Sequence, residues 1–118
     1  MAMVANILIG LVALLHVYFL ILEMFYWDKP LGLRTFGLTP ESAAASRSLA
    51  MNQGLYNGFL AAGLLWGLVS GSAGDPVKLF FLGCIVVAGI FGGLTASRKI
   101  LIIQAFPAAV ALGLVLIS

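Results

Sequence analysis

Four long apolar segments separated by short polar links dominate the chain. They run approximately from Met3 to Tyr26, Leu49 to Val69, Val77 to Ala96 and Ile100 to Ile117. Each holds about 18 to 24 residues, which is enough for an α-helix to cross a hydrocarbon layer of about 30 Å. The pattern predicts an all-α integral membrane protein, a four-helix bundle in which residues 1–118 form a single transmembrane domain.

The link between the first and second spans is the longest. Pro30, Gly32 and Gly37 interrupt the chain there, and Thr39-Pro40 is typical of a helix N-cap followed by proline at the first helical position. Helix two is therefore predicted to begin near residue 40, so that its first turns lie outside the hydrocarbon.

The two remaining links are shorter. Gly71, Gly74 and Asp75-Pro76 repeat the pattern of a helix stop followed by an N-cap before span three. Only residues 97–99 separate the last two spans. Spans three and four are therefore expected to form an antiparallel hairpin.

The composition agrees with a lipid environment. Apolar residues make up 63% of the chain and charged residues 8%, whereas soluble domains have roughly 45–50% and about 25%. The few basic residues lie in links or at span ends and do not form a patch for nucleic acid. Cys84 is the single cysteine, so there is no disulfide framework and no metal-ligand spacing. We therefore expect no metal site, no resident cofactor and no nucleic-acid partner.

The basic residues are distributed unequally between the two sides of the predicted bundle. One side carries five of the six Lys and Arg residues, and the other side carries only Lys78. By the positive-inside rule, the side with five is cytoplasmic and both termini lie outside the cytoplasm. The expected location is a membrane that the chain crosses several times. The five residues are Lys29, Arg34, Arg47, Arg98 and Lys99.

Glu23 is the only acidic side chain inside a predicted span. An ionisable group inside a bilayer is costly and is usually functional. His16 lies seven residues earlier, within about 20° on the same helical face. The two side chains therefore line one groove at two depths, as a pair of titratable groups.

Span two carries a polar face at a matching depth. Asn52, Gln53, Tyr56 and Asn57 fall within an arc of about 140°. Gln104 on span four enters from the same side, just before Pro107, which is expected to kink that helix. A ligand-binding pocket is predicted between spans one, two and four and open to the cytoplasm. Its predicted lining is His16, Glu23, Asn52, Gln53, Tyr56, Asn57 and Gln104, with Arg47 and Arg98 at its mouth.

Small residues mark the expected helix contacts. Gly54, Gly58 and Ala62 follow the small-xxx-small spacing on roughly the opposite side of helix two from the polar residues. Span three carries similar rows. Such faces allow close helix approach, and a homo-oligomer formed through Gly and Ala faces is expected. The rows of span three are Ala88, Gly92 and Ala96, with Gly89 and Gly93 beside them.

Three strings carry a family resemblance. They are HVYFLILEMFYW at 16–27, RTFGL at 34–38 and NQGLYNGFLAAG at 52–63. With these strings the whole chain resembles the small bacterial membrane family called domain of unknown function 1304. The resemblance implies a four-helix inner-membrane protein and no settled activity.

A looser similarity concerns the MAPEG glutathione-dependent membrane enzymes. Arg47, Asn52 and the string FLA at 59–61 resemble their second helix, although Leu55 stands where they carry a glutamate. This similarity implies an alternative function, a membrane enzyme that uses glutathione or another anionic cosubstrate. Arg47 and Arg98 would hold the anion, and Tyr56 or His16 would polarise the reacting group.

Three functions therefore remain open from the sequence. The leading hypothesis is binding or transport of a small polar or amphipathic molecule at the predicted pocket. The second is the glutathione-type enzyme. In the third, the polar residues serve only as hydrogen-bonding contacts in an assembly that has no ligand.

Overall fold

The computed structural model describes residues 1–118, and it is helical almost throughout, with no β-strand. This confirms the all-α prediction. A 3₁₀ turn, Gly71–Gly74, leads directly into the fourth of five helices. The helices are α1 (Ala2–Phe25), α2 (Pro30–Phe36), α3 (Pro40–Val69), α4 (Asp75–Thr95) and α5 (Arg98–Ile117).

Three segments are long and apolar enough to cross a membrane. They are Ala2–Phe25, Gly71–Thr95 and Arg98–Ile117, which correspond to predicted spans one, three and four. The second predicted span lies inside α3 and is helical. It is less apolar than the others because it contains three amide side chains, at positions 52, 53 and 57. Length and composition thus support a membrane protein in which three segments could cross the bilayer.

Contacts within the chain divide it into two compact units. The central unit is Leu15–Phe59, and the terminal unit combines Met1–Leu14 with Leu60–Ser118. The central unit holds the end of α1, all of α2 and the beginning of α3. The terminal unit holds the beginning of α1, the end of α3, and all of α4 and α5.

In the central unit, a polar and aromatic corner connects α1 to α3. The predicted N-cap at Thr39 is present, since its hydroxyl accepts a hydrogen bond from Ser42 N at 3.1 Å, and Ser42 Oγ accepts one from Thr39 N at 3.0 Å. Trp27 Nε1 donates to Ser46 Oγ at 3.1 Å. The Trp27 ring also packs on Phe36 of α2, with centroids 4.9 Å apart. These contacts hold the link in one conformation.

Helix α2 has only seven residues and was not predicted. Gly32 is buried against the backbone carbonyl of Tyr26, where a side chain would not fit. Gly37 then ends the helix in the left-handed conformation, with φ of 64°. The two glycines that read as chain breaks therefore serve a short helix, one by close packing and the other as its cap.

In the terminal unit, α4 and α5 form the predicted antiparallel hairpin. Gly89 lies against the backbone of Ala105, and a Cβ at Gly89 would be 2.6 Å from Ala105 N. Gly93 faces Leu101, one turn nearer the link. The small residues of α4 thus make helix contacts within the chain, as their spacing predicts.

A π-helical turn interrupts α5 at Leu101–Ala105 and ends two residues before Pro107. Proline has no N–H to donate, and its ring crowds the carbonyl of residue 103 in a regular α-helix. The wider π turn relieves this crowding. Gln104 lies in this turn, so the irregularity occurs where the sequence places the single amide of α5.

Candidate polar site on α1 and α3

Glu23 and Asn57 form a hydrogen bond between α1 and α3 inside the central unit. Asn57 Nδ2 donates to Glu23 Oε1. The two residues are 34 positions apart in the sequence, and Asn57 is buried. The one acidic side chain predicted to lie within a span therefore has an amide partner on the neighbouring helix.

Glycines on α3 make this approach possible. A Cβ at Gly54 would be 2.6 Å from Met24 Cγ and 3.2 Å from the carbonyl oxygen of Leu20. A Cβ at Gly58 would be 2.7 Å from Leu20 Cδ1. Both glycines therefore face α1, and the two helices touch through their surfaces with no space for a larger side chain.

The prediction that small and polar residues occupy opposite faces of α3 is wrong at this point. Asn57 lies three residues after Gly54 and directly before Gly58, so all three belong to the face that contacts α1. Ala62, which was assigned to the same small-residue row, is exposed. The carboxylate and the amide can meet because glycines flank the amide on the contact face.

The other polar residues predicted on helix two lie on the outside of the central unit. Asn52 and Gln53 are exposed, and Tyr56 is 53% exposed. Asn52 Nδ2 donates to the carbonyl oxygen of Ser48 at 3.2 Å, which is a contact within its own helix. Of the four, only Asn57 is directed to Glu23.

His16 shares the inner side of α1. It is fully buried, and its ring meets Phe19 edge-to-face with centroids 5.8 Å apart. The seven-residue spacing from Glu23 places both on one helical face, as predicted from the sequence. His16 is therefore held in the interior, whereas Glu23 is only partly buried.

The arginines predicted at the mouth are both exposed. Arg47 Nε lies 3.8 Å from Asp28 Oδ2, a surface ion pair within the central unit. Arg98 begins α5, and partly buried Gln104 lies in its π turn, so both belong to the terminal unit. That Arg47, Arg98 and Gln104 contribute to a ligand-binding pocket stays a prediction.

Glu23 remains partly exposed. Asn57 donates to its Oε1 and not to Oε2, and no buried side-chain nitrogen or oxygen in the chain lacks a hydrogen-bond partner. The carboxylate is thus anchored through Oε1 on a residue that still reaches the surface of its unit.

A second polar cluster, which was not predicted, lies in the terminal unit. Lys78 of α4 is only 4% exposed, and its Nζ donates to Asn6 Oδ1 at 3.0 Å and to Asp75 Oδ1 at 3.2 Å. Gly67 makes room for the lysine stem, since a Cβ there would be 2.7 Å from Lys78 Cγ. Lys78 was predicted only to influence the orientation in the membrane, and its hydrogen bonds to Asn6 and Asp75 were not predicted. The useful signal was Asn6, a lone amide in the first turns of an apolar helix.

An open apolar groove lies on α4, away from the polar residues. It has a volume of about 740 Å³ and contains almost no polar surface. In a bilayer such a groove would be filled by lipid chains or by another apolar helix. Its lining residues are Leu79, Phe80, Gly83, Cys84, Val87, Ala88 and Phe91.

Comparison with known proteins identifies the family. The model of the family described as "Protein of unknown function (DUF1304)" matches residues 10–116. The chain belongs to the DUF1304 family. The uncharacterized protein YpaA of Lactococcus lactis subsp. lactis (strain IL1403) is 32% identical to this DUF1304 protein over 106 residues, which cover 88% of this chain and 89% of YpaA. No solved structure matches the chain. The family resemblance found in the sequence is thus confirmed, and Glu23 and Asn57 both lie in the matched region.

Proposed function

We propose that this DUF1304 protein crosses the bacterial inner membrane four times, with α3 as the additional crossing segment and both termini outside the cytoplasm. The five-to-one distribution of basic residues supports this orientation. The length of α3 supports the fourth crossing, because its 30 residues span about 45 Å. A reporter enzyme fused after Ser118, active only outside the cytoplasm, tests the topology. Activity is expected, and an inactive but stable fusion contradicts it.

We further propose that the protein binds or transports a small polar or amphipathic molecule at Glu23. The observation that carries this proposal is a partly exposed carboxylate whose Oε1 is held by Asn57. A group that serves only to join helices gains most when all its hydrogen-bonding capacity is used between them. Glu23 accepts a hydrogen bond from the neighbouring helix and is still partly exposed.

The cost of placing the Glu23 carboxylate in a bilayer, compared with the gain from its hydrogen bond, favours a functional role. A carboxylate at depth in a bilayer costs several kcal/mol, reduced near the interface by water and local thinning. One hydrogen bond from a neutral amide returns about 0.6 to 2 kcal/mol. The hydrogen bond from Asn57 therefore offsets only part of the cost of the carboxylate, which is expected for a group that is retained to bind a ligand.

Thermal unfolding of the purified protein in dodecyl maltoside tests the proposal. The compounds are quaternary ammonium salts, fatty acids, betaines and glutathione, each measured with the wild type, Glu23→Gln and Glu41→Gln. Glu41 is an exposed acid in the first turn of α3, so its substitution is the matched control for loss of one negative charge. At least one class is expected to raise the Tm of the wild type and of Glu41→Gln but not that of Glu23→Gln.

The other possible results of this experiment distinguish between the two alternative functions. Stabilisation by glutathione alone favours the enzyme, with Arg47 as the first residue to substitute. If no compound stabilises the wild type, and Glu23→Gln loses its fold or its oligomeric state by light scattering, the polar residues serve assembly. A homo-oligomer in the same light-scattering experiment is part of the proposal.

A further inference from the structure

Glu23 has no cationic partner in the chain. The two ion pairs join Arg47 to Asp28 and Lys78 to Asp75, and Glu23 takes part in neither. The donor that binds it, Asn57, is a neutral amide. When the carboxylate is ionised, its negative charge is therefore not balanced by either of these ion pairs.

The stretch of helix that packs against Glu23 carries no formal charge. On α3, which packs against it, no Asp, Glu, Lys, Arg or His occurs between Ser48 and Val69, and Tyr56 is the one titratable side chain. On α1 the titratable neighbours are His16 and Tyr18, and Tyr26 follows the helix. Charges interact strongly in such a poorly screened environment. A ligand at the Glu23 carboxylate is therefore selected first by its charge.

We propose that the molecule bound at Glu23 is a hydrophobic organic cation, so that this inference rests on the proposed function and specifies its substrate class. The ammonium or phosphonium charge lies beside the carboxylate, and its apolar groups lie on the surface of α1. Phe19, one turn before Glu23 on the same face, supplies an aromatic ring near this position.

An inorganic divalent cation does not fit this site. Calcium takes six to eight oxygen ligands, and magnesium requires near-octahedral geometry. The chain has no group of three or more His, Cys, Asp or Glu side chains that would hold a metal ion. One carboxylate oxygen and an apolar surface suit an organic monocation, which needs charge neutralisation and burial of apolar groups in place of a full coordination shell.

A proton competes with this cation, because either one neutralises the same carboxylate. Binding to the protonated acid releases its proton to the solvent as the cation takes its place. The affinity for the cation is therefore expected to fall as the pH is lowered. His16 faces the same side of α1 and carries an ionisable imidazole, so its contribution must be separated from that of Glu23.

The test uses two ions of nearly equal size and shape but opposite charge. Binding of tetraphenylphosphonium and of tetraphenylborate is measured by equilibrium dialysis against protein in dodecyl maltoside, with protein-free micelles as the blank. Triphenylphosphine oxide is the neutral probe. Wild type and Glu41→Gln are expected to prefer the phosphonium by roughly tenfold or more, and Glu23→Gln is expected to lose that preference.

Lowering the pH from about 8 to about 5 separates the titrating groups. Phosphonium affinity is expected to fall in the wild type and equally in His16→Gln, because Glu23 carries the competition. If His16→Gln abolishes the pH dependence, the competition with a proton at Glu23 is overturned. Circular dichroism of each variant serves as the control for folding.

Failure of this inference is distinct from failure of the proposed function. If the borate, the neutral probe or an anion from the thermal-unfolding series binds as tightly as the phosphonium and still depends on Glu23, the site stands and its cation preference is overturned. If nothing binds to folded wild-type protein, the proposed function is overturned, and the inference is overturned with it.

Discussion

Lys78 Nζ donates a hydrogen bond to Asn6 Oδ1 at 3.0 Å, and this contact joins α4 to α1 across 72 positions of sequence. The lysine is buried, and its second partner, Asp75, lies one turn earlier on its own helix. Asn6 is thus the only partner that ties this charge to another helix. The contact holds the beginning of α1 in the terminal unit.

Replacing Asn6 by Leu is expected to lower the free energy of unfolding by roughly 1–3 kcal/mol, because the buried ammonium loses one of its two hydrogen-bond acceptors. Equilibrium unfolding in mixed micelles measures the change. The double variant Asn6→Leu, Lys78→Met is expected to recover part of the loss, since it also removes the buried charge. A double variant that is less stable than Asn6→Leu would show that the lysine contributes more through Asp75 and its own packing.

Substitution of Asn57 by Leu is expected to destabilise the central unit by roughly 1–2 kcal/mol, because Glu23 loses its hydrogen-bond donor. Replacing Asn52 by Leu provides the control on the same helix, since Asn52 is exposed and bonds only to Ser48. Thermal unfolding in dodecyl maltoside compares the two. Equal losses in both variants would contradict a specific role for Asn57.

The close approach of α1 and α3 depends on Gly54. Gly54→Ala is expected to cost roughly 1–3 kcal/mol, since the added Cβ would lie 3.2 Å from the Leu20 carbonyl oxygen and 2.6 Å from Met24 Cγ. Gly10 on α1 has nothing within 4 Å of an added Cβ, so Gly10→Ala is the control and is expected to be neutral or stabilising. Unfolding midpoints measured in parallel test the difference, and equal midpoints would refute the contact.

The α4–α5 hairpin offers a sharper comparison within one helix. A Cβ at Gly89 would lie 2.6 Å from Ala105 N and 2.8 Å from Ala105 Cα, which are backbone atoms that cannot rotate away. Gly89→Ala is therefore expected to destabilise the protein by roughly 1–3 kcal/mol. An added Cβ at Gly83, on the same helix, would have no atom within 4 Å. Gly83→Ala is therefore expected to leave the unfolding midpoint unchanged or to raise it. The reverse order would show that Gly89 does not pack on α5.

The start of α3 depends on its cap. Thr39→Ala removes the hydroxyl that accepts a hydrogen bond from Ser42 N, and about 1 kcal/mol of stability is expected to be lost with it. Thr35→Ala is the matched control, because that hydroxyl only donates to a carbonyl of its own helix, at Leu31. Hydrogen exchange at the first amides of α3 should accelerate in Thr39→Ala alone. Unchanged exchange would mean that Pro40 and Ser42 suffice to begin the helix.

Most of the helical architecture follows from patterns that act over a few residues. The runs of apolar residues identify α1, α4 and α5 to within about two positions, and Thr39-Pro40 locates the start of α3. Helix α2 was missed because a seven-residue segment that contains a glycine and is followed by another has little helix propensity of its own. It forms through contacts made at a distance, with Gly32 against the Tyr26 carbonyl and Phe36 against Trp27.

The candidate site was predictable only in part. Glu23 stands out in the sequence because an acid within an apolar span is costly. Its partner does not, since Asn52, Gln53 and Asn57 are chemically equivalent candidates within two turns of one helix. The contact of Gly54 and Gly58 with α1 rotates α3 so that Asn57 is directed inward and the other two outward.

Three conclusions follow from the amino-acid sequence without coordinates: the chain is helical, several of its helices can lie in lipid, and Glu23 needs an explanation. These conclusions depend on the solvation energy of each side chain and on local backbone preferences, which are properties of short segments. The pairing of Asn57 with Glu23 and the burial of Lys78 against Asn6 became visible in the folded chain alone. Those pairings depend on how close two helices come and how each is rotated, and contacts between residues far apart in sequence set both.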